Sequence, residues 1–350
     1  MEAAQCSRGG LRGRIRGRTL ASALAVIALV LLPLVVKSPY YMHILIMSGL
    51  NAILAMTFIT MLRTGLISLS IAAFWGIGAY TSMLFVMRLK ASFWLALPAS
   101  IVVAGLIGLC IGYLFVRSAG FGFVMLSAVL GMLIIVVFGN LKFLGGYEGI
   151  ESIPPPDQIT IPLVARVEFA SKAPYYYLML VLLFVTIVIL RAIYAAWTGR
   201  AWMAIGLNSR LAESLGVNVF RYRLWAFVIS SAIAGMAGSF YAHYIGAVIP
   251  GSFDVFKTIY VHIFAILGGV DFAILGPIVG SVVMTFVPEL LRITKVIEPI
   301  VTGVLVILII LFLPRGLLSL FGIQAMSTHV GRRIEKLGSF IKASLGFRAR

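Results

Sequence analysis

The residues best placed to do chemistry lie in Trp197–Arg223, WTGRAWMAIGLNSRLAESLGVNVFRYR. Arg200, Arg210, Glu213, Arg221 and Arg223 concentrate charge between two long apolar runs. Connections between packed helices commonly need only about 2–8 residues, so this segment is long enough to fold and present a helix. Ala204, Leu207, Leu211 and Leu215 recur at 3–4 spacing as an apolar stripe, with Arg200, Arg210 and Glu213 off it. The run RAWMAIGLNSRLAESLG is expected to make one or two helical turns around a weak point at Gly206 and to stop at Gly216. Such a helix can insert into a groove on a partner; the alternative is an interfacial helix resting on lipid.

A second candidate is Thr64–Tyr80, TGLISLSIAAFWGIGAY, where Gly65, Ser68, Ser70, Gly76 and Gly78 stand among apolar residues. Hydroxyls there can face a polar path, and a glycine near the helix start permits a break whose freed amides would meet a carboxylate. Plain helix packing is the alternative. Gly105, Gly108 and Gly112, Gly235 and Gly238, and Gly268, Gly269, Gly276 and Gly280 read as close packing within a bundle, with a dimer contact as the other option.

Other chemistry is missing. No GxxxxGK[ST] occurs, so the chain carries no phosphate-cradling loop of that kind. Asp254, Glu289 and Glu298 fall near span ends and Asp271 interrupts a span. Ion-coupled carriers commonly hold a carboxylate at mid-membrane. No Ser/His or paired-carboxylate arrangement on facing spans is evident, and no catalytic residue is assigned. His43, His243, His262 and His329 are scattered, and Cys6 and Cys110 lie in a tail and a span, so neither a metal site nor a disulfide is expected.

The elements that must position these residues follow from composition. Of 350 residues, 61% are hydrophobic and only 11% charged, with a mean hydropathy of +1.09. The fold class is all-α: a polytopic transmembrane bundle of about 8–10 spans, including short or broken helices. Continuous rather than alternating apolar runs argue against a barrel. Expected spans are Leu20–Val36, Tyr40–Leu62, Gly65–Met87 with an irregular start, Phe93–Val116, Gly120–Phe138, Tyr175–Ala195, Leu224–Gly246, the short pieces Ile259–Leu267 and Phe272–Val287 split by GGVD, and Ile300–Leu313. The short pieces could instead form a re-entrant hairpin. Leu20–Val36 is read as a retained helix rather than a signal peptide.

The net charge of +17 is a topology signal rather than a nucleic-acid footprint. Ten crossings from a cytoplasmic N-terminus place 19 of the 28 Lys and Arg in the cytoplasm. Residues 1–19 and 326–350 are then basic cytoplasmic tails, and the transmembrane domain spans 20–325. Residues 139–173 form an outer loop, punctuated by Gly and Pro into a turn region, and 197–223 a cytoplasmic loop. Ile334, Leu337, Ile341 and Leu345 give the C-terminal tail the pattern of an interfacial helix, with a solvated basic tail as the alternative.

From about Leu50 to Leu320 the chain resembles the permease subunits of branched-chain amino acid ABC transporters, the LivM/LivH family, and most closely the M-type. The blocks that carry this are GLISLSIAAFWGIGAY (65–80), GGYEGIESIP (145–154), GRAWMAIGLNSRLAESLGVNVFRYRLWAFVISSAIAGMAGSFYA (199–242), LGGVDFAILGPIVGS (267–281) and LPRGL (313–317). The third is the most specific: it is similar to a divergent form of the EAA loop of ABC permeases, with Ala212, Glu213 and Gly216 at its centre.

The resemblance implies a permease of an importer for branched-chain or other hydrophobic amino acids, in the bacterial inner membrane with both termini cytoplasmic. It implies no cofactor on this chain, because ATP is bound by two partner ATPase subunits. A second homologous permease, a periplasmic binding protein and membrane lipid complete the partners. Arg200, Ala204, Arg210, Ala212, Glu213 and Gly216 would form the ATPase-coupling loop. Ser68, Ser70, Phe74, Gly76 and Gly78, with Gly145 and Gly146 at the periplasmic mouth, would line the substrate path. Family sequences usually carry Gly-His where Ser70-Ile71 stand, Thr where Leu144 stands, Gly at Asp271 and an acidic residue at Ser209. Those departures bear on the substrate more than the class. Urea and short-amide importers of the same family, and an ion-coupled carrier or channel of a different class, are the alternatives.

Overall fold

The computed structural model describes residues 29–33, 38–118, 120–161, 165–167, 169, 171–290, 303, 304, 307 and 316–318. The expected spans Leu20–Val36 and Ile300–Leu313 and both tails therefore lie almost wholly outside the described residues. Ten helices of six or more residues are described in full: α1 Pro39–Leu62, α2 Ile71–Met87, α3 Phe93–Phe115, α4 Phe121–Asn140, α5 Lys172–Ala195, α6 Trp197–Leu207, α7 Ser209–Ser214, α8 Val219–Ile245, α9 Val255–Gly268 and α10 Leu275–Leu290. Six segments are long and apolar enough to cross a membrane, and two shorter apolar helices (Ile71–Met87 and Leu275–Val287) accompany them. A helix satisfies its own backbone hydrogen bonds, which is what hydrocarbon demands. The chain is a multi-pass helical membrane protein.

Local chemistry sets the helix limits. Pro39 opens α1, where its missing N–H costs nothing. Ser92 caps α3 by accepting from the Trp94 amide, and Asp254 caps α9 by accepting from Val255. Gly246 closes α8 in the left-handed conformation.

Helix α8 is the hub, packing along α2, α3 and α1. The contacts are built on small residues. A Cβ on Gly78 would run into Gly235 of α8, and one on Gly238 into the Trp75 carbonyl. Gly108 abuts Ser231, while Gly276 and Gly280 of α10 let it cross α9 at Gly268 and Phe264. These glycines pack helices within the chain, as helices in lipid require when hydrophobicity alone does not draw them together. By contrast, α3, α4 and α5 expose Leu106, Leu114, Val129, Leu133, Phe184 and Val188, apolar faces suited to lipid.

The loops gather at two ends. At one, Arg63, Thr64, Gly206 and Arg223 meet. At the other, 139–171 folds over the bundle. It holds two single 3₁₀ turns (Lys142–Leu144 and Gly146–Glu148), β1 (Ile150–Glu151), β2 (Ile159–Ile161) and β3 (Ala165–Val167). β2 pairs with β3, and β1 pairs antiparallel with β4 (Ala247–Val248), Ile150 opposite Val248. The expected turn region is thus sewn to the segment after α8.

Candidate functional site

Between α1 and α2 the chain does not turn outside the bundle. After Gly65, in the left-handed region at φ +76°, it runs back in as a non-helical strand, with Leu66, Ser68 and Ser70 buried. Three distant groups hold this segment and the first turn of α2: the Leu69 amide donates to Ser127 Oγ (2.9 Å), the Ser68 carbonyl accepts from His262 Nε2 (3.0 Å), and the Ala72 amide donates to Thr258 Oγ1 (3.0 Å). Non-helical backbone at membrane depth is tolerated where protein satisfies it. The irregular start expected for this span is this broken segment.

Ser68 and Ser70 share a hydrogen bond of 2.8 Å. With Met61, Phe74, Ser230 and Ser231 they line a narrow crevice with no free room for a water molecule. Of the residues expected on the substrate path, Ser68, Ser70 and Phe74 come together here. Gly76 lies two residues further along α2, under the Phe253 ring. Gly78 does not face the crevice: it is pressed against Gly235, where a side chain has no room. Gly145 and Gly146 sit in the loop end, both left-handed (φ +85° and +62°), forming the tight turns that only glycine adopts without strain.

The charged segment folds as two helices, α6 and α7, meeting in an elbow. The break falls at Asn208 rather than Gly206. Asn208 is extended, and its side chain accepts from the Arg210 and Leu211 amides, stopping one helix and capping the next. Gly206 stays helical because it is packing against Arg63, not flexing. Helix α8 begins at Val219, capped by Asn218, so Arg221 and Arg223 belong to that helix and the true connection is shorter than expected. Gly216 ends α7 at φ +82°: its amide donates to the Glu213 carbonyl and that of Val217 to Ala212, the paired bonds of a left-handed stop.

Leu207, Leu211 and Leu215 are 44%, 59% and 76% exposed, so most of the expected apolar stripe projects from the elbow. Arg200, Arg210, Glu213 and Gly216 are also exposed, whereas Ala212 is buried beneath α7 and Ala204 is half-buried. Arg200 stacks over the exposed Trp197 ring at 5.2 Å. Beside the elbow lies an open groove of about 530 Å³ edged by Thr198, Gly216, Asn218, Arg221 and Tyr222.

The elbow is braced by residues that no spacing rule singled out. Trp202 is fully buried, and its indole N–H donates to the Tyr222 carbonyl (2.9 Å). Arg223 Nε donates to the Thr64 carbonyl (3.1 Å). The Arg63 guanidinium lies 4.4 Å over the Tyr194 ring, whose hydroxyl meets Thr60 (2.8 Å). Burial lowers the pKa of Arg63, and Tyr194 and Asp271 work against that. A lone Arg at the end of an apolar span was the available signal.

One expectation is overturned. A Ser/His pair does exist on facing spans: Ser82 of α2 lies 3.0 Å from His243 Nε2 on α8. His243 Nδ1 is 2.8 Å from the Pro154 carbonyl, which can only accept, so Nδ1 carries the proton and Nε2 accepts from Ser82. Ser239 donates in turn to Ser82 (2.8 Å). Ser82, Ser239 and His243 are buried and engaged, so the chain fastens the outer loop to α2 and α8 rather than presenting a nucleophile. The same loop is held by Asp157, which accepts from the Phe93 amide (3.1 Å).

A multi-pass bundle with a broken span beside a serine-lined crevice, and an exposed helical elbow packed against the turn that leads into that span, defines a polytopic helical membrane protein. Residues 40–314 match the family described as branched-chain amino acid transport system, permease component, and the chain belongs to that family. It is 28% identical over 79% of its length to the high-affinity branched-chain amino acid transport system permease protein LivM of Salmonella typhimurium, and 27% identical to that of Escherichia coli, covering 67% of each. It is also 24% identical, over 55% of its length and 62% of the relative's, to the nucleoside ABC transporter permease protein NupC of Lactococcus lactis. No solved structure matches.

Proposed function

We propose that this chain is the membrane-spanning subunit of an ABC importer in the inner membrane, moving branched-chain or other hydrophobic amino acids. The observation that carries this is the elbow: three exposed leucines on two short helices, braced against the 63–65 turn that leads into the broken span. An apolar ridge with a charged rim suits insertion into a cleft on a partner. Two ATPase subunits would dock there, at the cytoplasmic end that the Lys and Arg distribution assigns. The chain would pair with a second, homologous permease. A periplasmic binding protein would deliver cargo to the 139–171 loop. ATP would be bound by the partners, and this chain would contribute the path past Ser68 and Ser70.

The test is reconstitution in proteoliposomes of the full assembly and of this chain alone, with labelled L-leucine. The assembly should accumulate leucine only with ATP, and the single chain should accumulate none. Concentrative uptake by the chain alone would show a self-sufficient carrier. Accumulation of a nucleoside, urea or a short amide in place of leucine would keep the class and reassign the cargo.

A further inference from the structure

One turn along α2 from the crevice is a cluster of aromatic rings that the path described above does not use. Phe253 sits in the single 3₁₀ turn Pro250–Phe253, between β4 and α9, and is fully buried. Its ring centroid lies 5.0 Å from Trp75, 6.0 Å from Tyr241 and 6.2 Å from Tyr80. Gly76 makes room for it, since a Cβ there would come within 3.0 Å of the Phe253 ring.

Two of the residues whose rings pack around Phe253 carry unanswered polar atoms. Among the described residues, Trp75 Nε1 and Tyr80 Oη are buried without a hydrogen-bond partner, though the two residues are only 5% and 2% exposed. Leaving such a group unpaired is costly, and the exceptions in native proteins call for an explanation. Indole N–H is a donor only, and a phenol readily donates. A ligand that answers both would bring acceptor oxygens, as a carboxylate does. The surrounding rings would cover an apolar side chain.

We infer that Trp75, Tyr80 and Tyr241 frame a cargo station, filled in this state by the Phe253 ring, that receives an α-amino acid with an apolar side chain. The inference rests on the importer reading above. The rings take the side chain, and the Trp75 N–H and Tyr80 O–H take the carboxylate. Phe253 acts as a resident plug that holds the station shut between cycles. Its release has a built connection: β4, two residues before Pro250, pairs with β1 of the outer loop, so a binding protein that moves Ile150–Glu151 pulls on the segment carrying Phe253.

The experiment uses the full reconstituted assembly with leucine-loaded binding protein. It compares wild type with Trp75→Phe, Tyr80→Phe and Phe253→Ala, reading leucine uptake, ATP hydrolysis and thermal stability together. Trp75→Phe and Tyr80→Phe each remove one orphaned donor and keep a ring, so stability should hold or rise. Leucine uptake should fall by about 10- to 100-fold, the range for losing a hydrogen bond to a charged group, with ATP hydrolysis retained. Phe253→Ala should allow leucine to leak down its gradient without ATP. Undiminished uptake in both donor variants, with wild type importing leucine, would overturn the station and leave the importer reading intact. If uptake falls only in step with stability, the residues are structural and the inference fails. Failure of wild type to import leucine would instead count against the importer reading, and the station would fall with it.

Discussion

Gly206 of α6 lies directly against the backbone carbonyl of Arg63, with no room between them for a methyl group. Arg63 follows the last residue of α1, and two residues later Gly65 starts the buried strand that carries Ser68 and Ser70. Arg223 grips the same turn through the Thr64 carbonyl. The elbow and the broken span are therefore in backbone contact, without an intervening side chain. Only Leu66 and Ile67 separate Gly65 from Ser68.

Gly206→Val tests that contact. The added side chain must push α6 away from the 63–65 turn, an overpacking that costs about 1–3 kcal/mol. Thermal unfolding in detergent should shift down, and uptake by the assembly should drop at least tenfold while ATPase subunits still co-purify. Full uptake with an unchanged melting temperature would show that the elbow acts by another route.

Leu211 and Leu215 project from the elbow and contribute little to folding. Leu211→Glu with Leu215→Glu should change stability by no more than about 0.5 kcal/mol, as surface substitutions do. Co-purification of the ATPase subunits should be abolished. Glu213→Arg, reversing the charge on the rim, should weaken the same association with a smaller effect. Normal recovery of the ATPases with all three changes would place the docking surface elsewhere.

His243→Phe breaks the chain that fastens the outer loop. The buried Ser82 hydroxyl loses its acceptor, a cost of about 1–3 kcal/mol for a group left unpaired, and the Pro154 carbonyl loses its link to α8. The melting temperature should fall. Limited proteolysis should also cut within 150–170 at protease levels that spare the wild-type loop. An unaltered cleavage pattern would mean that the strand pairing of Ile150 with Val248 is sufficient by itself.

Asn208→Ala and Asn218→Ala each remove a side-chain cap, typically worth about 1 kcal/mol. Asn208→Ala should loosen the joint between α6 and α7, read as faster amide hydrogen exchange across 209–215. Asn218→Ala should affect the start of α8 instead. Equal exchange in both variants would refute the assignment of Asn208 as the joint of the elbow.

Among the described residues the long apolar helices were legible in the residues themselves, though α8 starts five residues before the expected Leu224 and the elbow breaks at Asn208 rather than Gly206. Long apolar runs must be helical because hydrocarbon offers the backbone no other partner. Pro39, Ser92, Asn208, Asn218, Gly216 and Gly246 end or cap helices by chemistry that acts over three or four residues. The broken start of α2 showed in the glycine and serines of TGLISLS, and the elbow in its leucine spacing. Lateral arrangement was not legible. Gly76 and Gly78 are two residues apart in one motif, yet one faces Phe253 and the other Gly235. Ser82, Ser239, His243 and Pro154 are spread over as many as 161 residues and carry no shared pattern. Helices in lipid choose neighbours by fit and by buried hydrogen bonds rather than by hydrophobicity, and fit of that kind exists only once the chain is folded.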